Sequence, residues 1–243
     1  SLSMNYGQLD YIQLLDRCAN LEHIRLTRPG PDIRMVDEPL LLSKLSSLNI
    51  AHDLTNLLDH LVLPSLKHVR VHEDHHGRAS VLASGHWDPM NLLQLIERSG
   101  CRIQSLWINA PMSDEAFLAC LQACPSLEKL AIAGNTSALI RALAPSQSES
   151  LPRLSEISID ARIPMTVSLV ETVRARSFSR LQLQYPIGHP DVPALREIGA
   201  RRNGEKPGSM DLKIEEIRVV GSRGCSTGRS RSVLYRRKTS ASR

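Results

Sequence analysis

The sequence predicts an α/β chain in which short parallel strands alternate with helices in a stacked, repetitive array. Three observations lead there. An apolar-x-x-apolar-x-apolar phrase recurs along the chain. The intervals between its copies cluster near 24 residues. The composition is 42% hydrophobic but only 3% aromatic, with leucine carrying much of the apolar load. Few rings are available to fill one thick core, which suits thin layers that bury their apolar faces against one another.

The strands come first. The phrase stands in "LEHIRL" (21–26), "LSSLNI" (45–50), "LKHVRV" (66–71), "IQSLWI" (103–108), "LEKLAI" (127–132) and "LSEISI" (154–159), with weaker copies in "FSRLQL" (178–183) and "IEEIRV" (214–219). The closing apolar-x-apolar alternates with the period of two that a half-buried strand requires. A lead-in recurs with it, in "CANLEHIRL", "LPSLKHVRV", "CPSLEKLAI" and "LPRLSEISI". The intervals between first apolar positions are 24, 21, 37, 24, 27, 24 and 36, and five of them fall within the range of leucine-rich repeats.

The helices fill the intervals. "MNLLQLIERSG" (90–100) sets Leu92, Leu93 and Ile96 on one face, and "DPMN" before it reads as an Asp88 cap with Pro89 at the first helical position. "SDEAFLACLQAC" (113–124) opens with Ser113 as N-cap and acids in its first turn. "TVSLVETVRARS" (166–177) follows the same plan. The 37-residue interval holds its excess between Val71 and Asp88, the place of a rim loop beside a binding face. The fold expected for residues 1–220 is therefore a leucine-rich-repeat-like solenoid: a curved parallel sheet of about eight irregular repeats, with helices on the convex side. The irregularity shows where the consensus wants an Asn or Cys after each strand. Of those positions only Asn135 fits, with Asp53 and Asp74 as partial substitutes.

The phrases "LPSLKHVRV", "ERSGCRIQSLWI" and "SDEAFLACLQACPSLEKLAI" resemble the repeat region of fungal F-box/leucine-rich-repeat proteins, over roughly residues 8 to 185. The resemblance implies that the repeats hold a protein substrate for a Skp-cullin-F-box ubiquitin ligase. No F-box phrase stands in this chain, so docking to a Skp-type adaptor is expected only if an F-box lies upstream. A leucine-rich-repeat binding protein without a ubiquitin role is the alternative.

Charge places the chain's basicity at one end. Residues 221–243 hold seven of the 30 bases and no acid, which leaves 23 bases against 25 acids in residues 1–220. The body thus makes no electrostatic case for nucleic acid. The tail, rich in Ser, Arg and Gly, is expected to be disordered; "RSRSVLYRRK" within it suits nuclear import or an acidic surface. No apolar run is long enough for a membrane span, and no secretory signal is visible, so a cytoplasmic or nuclear location is expected.

No nucleophile elbow, P-loop or dinucleotide-binding glycine pattern appears, and the expected protein is not an enzyme and uses no cofactor or metal. One motif argues otherwise. "HEDHH" (72–76) matches H-E-x-x-H, which would make His72 and His76 zinc ligands and Glu73 the general base of a hydrolase. That chemistry needs a helix, whereas His72 follows a strand and Gly77 opens a loop, so a solvated polar loop is the reading preferred here. Of the five cysteines, Cys18, Cys101, Cys120, Cys124 and Cys225, the pair Cys120 and Cys124 share a helix face and read as buried thiols rather than as metal ligands.

A partner would meet the strand residues between the buried ones, on the concave face. The candidates are Arg25, Asn49, His68, Arg70, His72, Trp107, Asn109, Lys129, Asp160 and Arg180. Trp107, between Leu106 and Ile108, is expected to face solvent, and exposed Trp and Arg are favoured anchor types. The basic N-terminal half favours an acidic stretch of the partner. Glu156 and Asp160 form an acidic step further along.

Overall fold

A computed structural model describes residues 2–4, 11–26, 38–51, 57–72, 89–110, 112–133, 136–143, 151–160, 169–175, 178–186, 190–203 and 211–217. In chain order the elements are β1 (Leu2–Met4), α1 (Tyr11–Asp16), β2 (His23–Leu26), β3 (Leu40–Leu41), β4 (Ser47–Ala51), β5 (Leu61–Val62), β6 (His68–His72), α2 (Pro89–Ser99), β7 (Ser105–Asn109), α3 (Asp114–Gln122), β8 (Lys129–Ala133), α4 (Thr136–Leu143), β9 (Glu156–Asp160), α5 (Val170–Ala175), β10 (Arg180–Pro186), α6 (Asp191–Asn203) and β11 (Asp211–Ile217). Nine strands form one sheet in the order β1-β2-β4-β6-β7-β8-β9-β10-β11, and every pairing in it is parallel. Each strand therefore lies beside the previous one of the sheet, as the recurring phrase requires. The short β3 and β5 pair with each other as a separate ribbon.

Side-chain alternation decides how this sheet is covered. Parallel sheets packed on both faces read as continuous apolar runs. These strands instead alternate, for example exposed-buried-exposed-buried in β2 and half-buried-buried-half-buried-buried-half-buried in β7 and β9. The buried parity places Ile24, Leu48, Val69, Leu106, Leu130, Ile157 and Leu181 side by side through the register. Those residues join one core with Leu92, Leu95 and Ile96 of α2, Phe117, Cys120 and Leu121 of α3, and Leu139 and Leu143 of α4. Helices and apolar strand positions thus share one face. From β2 to β10, residues of the other parity whose burial is defined are exposed or half-buried, apart from Ala51.

The lead-in is a turn that aims each strand. Leu21, Leu45, Leu66, Leu127 and Leu154 each donate their amide to the carbonyl three residues back, on Cys18, Leu42, Leu63, Cys124 and Leu151. Pro64, Pro125 and Pro152 occupy the second position of their turns, where a fixed φ is already the right one. One residue past each of these leucines, and at the matching position after Ile103, the carbonyls of Glu22, Ser46, Lys67, Gln104, Glu128 and Ser155 each accept two successive amides from the entry of the next strand of the sheet, at 2.8–3.2 Å. Ser46, Ser155 and Ser179 add hydroxyl donors to the same rungs. The ladder satisfies backbone groups that would otherwise be stranded where turn becomes strand.

Local expectations for two helices hold. Pro89 is the first residue of α2; Asp88 lies outside the described residues. Ser113 caps α3, its Oγ accepting from the Ala116 amide at 3.2 Å, with Asp114 and Glu115 in the first turn. The helix expected at 166–177 is described as α5, Val170–Ala175. The C-terminal end of α2 is fastened to the chain 36 to 40 residues earlier. Arg98 donates to the carbonyls of Leu61 and Leu58, and the buried Ser99 hydroxyl accepts the Leu63 amide at 2.9 Å.

Three features depart from the sequence reading. A ninth strand, β1, precedes the first repeat phrase and pairs Leu2 with Ile24 and Met4 with Leu26. The last strand is displaced: Ile214, rather than Val219, stands opposite Leu183, five residues earlier than the phrase "IEEIRV" implies. Its edge position and the lack of the lead-in phrase before it left the sequence with two overlapping apolar-x-apolar choices. The β3–β5 ribbon was also unforeseen, because strands of two residues carry no period. The consensus turn positions Asp53, Asp74 and Asn135, the 73–88 loop and the 221–243 tail lie outside the described residues. Among the described residues, no helix is long and apolar enough to cross a membrane.

Candidate functional site

The polar parity of the sheet collects the candidate residues in two rows. In the first, the register runs Arg25, Asn49, Arg70, Trp107, Ala131, Ser158, Gln182. In the second it runs His23, Ser47, His68, Ser105, Lys129, Glu156, Arg180. Further along, His72 pairs with Ala51 and Asn109, and Asp160 pairs with Ala133 and Gln184. All ten candidates therefore lie on one parity, but they are not one cluster.

Trp107 sits on the polar face, as expected, but it is half-buried rather than open. The Arg70 guanidinium carbon lies 3.5 Å from the centroid of its ring system, a cation–π contact. The His72 ring stacks nearby, with centroids 6.2 Å apart and planes at 30°. Both partners come from β6. On the other side, the register neighbour on β8 is Ala131, a single methyl group. Strand alternation thus holds Trp107 between a cationic shelf and a gap. A groove of about 560 Å³ runs over these strands, lined by Ser47, Leu48, Asn49, His68, Val69, Arg70, Ser105, Trp107 and Ala131.

The groove is positive at the end where Arg70 lines it, and Arg25 stands next to that lining, beside Asn49 in register. Arg25 and Arg70 flank Asn49 in register, and no acid among the described residues forms an ion pair with either. Burial, and then the neighbouring Arg25, push the Arg70 guanidinium below its ordinary value; at any physiological pH it stays charged. Asn49 Oδ1 is buried between them without a hydrogen-bond partner. The other end is neutralised. Lys129 Nζ lies 2.8 Å from Glu156 Oε1, and Arg180 Nη1 lies 4.0 Å from Glu156 Oε2. Lys129 and Arg180 thus bracket Glu156, and the Glu156 part of the acidic step expected there is compensated. This three-residue pairing is invisible without the register.

The motif HEDHH divides at a structural boundary. His72 is the last residue of β6, while Glu73 to His76 lie outside the described residues. A strand end does not give His72 the helical i, i+4 relation that a zinc pair on one helix face uses. Cys120 and Cys124 are buried in the core, and burial pushes both thiols up to about 12. Cys124 is also the turn acceptor for Leu127, the place taken by Leu63 and Leu151 in other units. Its chemistry there is that of a small apolar residue.

Neither a family model nor a curated protein matches the sequence.

Proposed function

We propose that this chain is a non-catalytic protein-interaction scaffold, a leucine-rich-repeat solenoid whose concave face is the polar side of the sheet. On this reading it serves as the substrate-holding region of an F-box-type ubiquitin ligase receptor. The observation that carries the proposal is the one-sided sheet: parallel strands in chain order, apolar on one parity, with Arg25, Asn49, Arg70 and Trp107 aligned on the other. A face that gives only Ala51 among its described residues to the core yet aligns an arginine, a tryptophan and a groove has the composition of an interface centre. The turn-and-ladder repeat supports the solenoid, since each unit bonds its neighbour in the same way.

A photo-crosslinking residue at Ala131 tests the face, with Gln122 on α3 as the control position. The proposal requires that a bound partner crosslinks from position 131 and not from 122, and that Arg70→Ala with Trp107→Ala abolishes it. Crosslinking from 122 alone would move the interface to the helices. The ubiquitin-ligase part has its own test, copurification of a Skp-type adaptor with the full gene product. A partner captured without adaptor would leave a plain repeat-type binder.

A further inference from the structure

The groove is asymmetric in a way that defines what lies in it. Arg25 and Arg70 are two strands apart, which separates their backbones by ~10 Å. That span lets two guanidiniums converge on one carboxylate from either side, and no described acid occupies the space. Contact with the Trp107 ring holds the Arg70 guanidinium in place, which lowers the cost of ordering it on binding. Past Trp107 the same row drops to Ala131 and Ser158, small residues that leave the β8 side of the indole uncovered in register. From Asn49, midway between the arginines, to the gap between Trp107 and Ala131 is two and a half strand spacings, ~12 Å, or about four residues of an extended peptide.

Resting on the reading that this face binds protein, we infer that the groove takes an extended acidic segment of the partner. An Asp or Glu carboxylate lies between Arg25 and Arg70, and an apolar side chain about four residues away packs against Trp107 over Ala131. Charge selects the occupant: among the described residues the cationic end has no acid paired with it, whereas the Lys129–Glu156–Arg180 end does. Arginine rather than lysine at both cationic positions suits planar, two-pronged carboxylate recognition.

The experiment is selection of a displayed random-peptide library on the purified chain, followed by synthetic peptides of the winning sequence. Expected is enrichment of an acid about four residues from an apolar anchor. Binding should weaken tenfold or more on Glu→Gln or Asp→Asn in the peptide, and as much on Arg70→Ala or Arg25→Ala in the protein. Arg70→Lys, which keeps the charge and perturbs folding least, should still weaken it several-fold. Circular dichroism of each variant guards against misfolding. Peptides that lose binding on Trp107→Ala but carry no acid, or that need phosphoserine in its place, overturn this inference and leave the face as the interface. Peptides indifferent to Arg25, Arg70 and Trp107, or no enrichment, overturn both.

Discussion

Leu106 and Trp107 are adjacent residues on opposite faces of β7, and truncating each to alanine separates the two jobs of the sheet. Leu106 is 1% exposed and sits in the seam between Val69 and Leu130. Its loss removes core packing and leaves a cavity, a change of ~2–5 kcal/mol. Trp107 is half-buried on the polar face, where its chief described contacts are the Arg70 guanidinium and the His72 ring. A cation–π contact at a part-exposed site contributes ~0.5–1 kcal/mol, so Trp107→Ala should cost about 1 kcal/mol, half or less of the Leu106 change. Urea unfolding followed by circular dichroism measures both, and equal m-values are needed for the comparison to hold. An Arg70/Trp107 double-mutant cycle should return a coupling of ~0.5–1 kcal/mol. If Trp107→Ala destabilises as much as Leu106→Ala, the indole belongs to the core and the separation of faces argued here is wrong.

Other outcomes follow from particular contacts. Ser99→Ala leaves the buried Leu63 amide without its acceptor and should destabilise by ~1–3 kcal/mol in the same unfolding experiment, whereas the exposed neighbour Glu97→Ala should change little. Pulse alkylation at pH 8 read by mass spectrometry should leave Cys120 and Cys124 unmodified until urea is added, because burial holds both thiols near 12; rapid native labelling of either would contradict their placement. Glu115 titrates below the usual carboxylate range, held there first by its own amide and next by Ser113. A depressed carboxylate stabilises above its unfolded-state value and ceases to as pH falls through the folded-state value. Ser113→Ala should therefore move the Glu115 titration, followed by NMR, upward toward the ordinary range; an unmoved titration would show that the cap does not reach it.

How much was legible depends on the range of the interaction. Alternation over five residues is local, so the buried and polar parities of β2 to β10 could be read from strings such as "LWI" and "VRV". The Ser113 cap and the Pro89 start were readable for the same reason. The lead-in was visible as a recurring phrase, but its meaning, a turn with the leucine amide bonded three residues back, emerged only with the backbone. Register across units is not local at all. That Glu156 falls between Lys129 and Arg180, or that Arg98 reaches Leu58, depends on residues 24 to 40 apart with no shared pattern. The same blindness displaced the last strand, where "DLKI" and "IEEIRV" offered rival seams and no lead-in phrase chose between them. At the candidate site, sequence placed Trp107 and Arg70 on one face but could not foresee that one covers the other.

The shared carbonyls from Glu22 to Ser155 also say where this chain can change length. Each rung joins one unit to the next at a fixed place: the carbonyl one residue past the lead-in position accepts the amides of the first two residues past the next lead-in position, so an insertion between a lead-in position and its strand would shift two amides off their acceptor. Between a strand's end and the next lead-in no such count is kept, and the chain from one rung to the next runs from 21 to 37 residues. The protein therefore behaves like a ruled page with free margins: its lines are spaced by the backbone, and evolution or an engineer may write in the margins, or remove a whole line from one rung to the next, without disturbing the spacing of the rest.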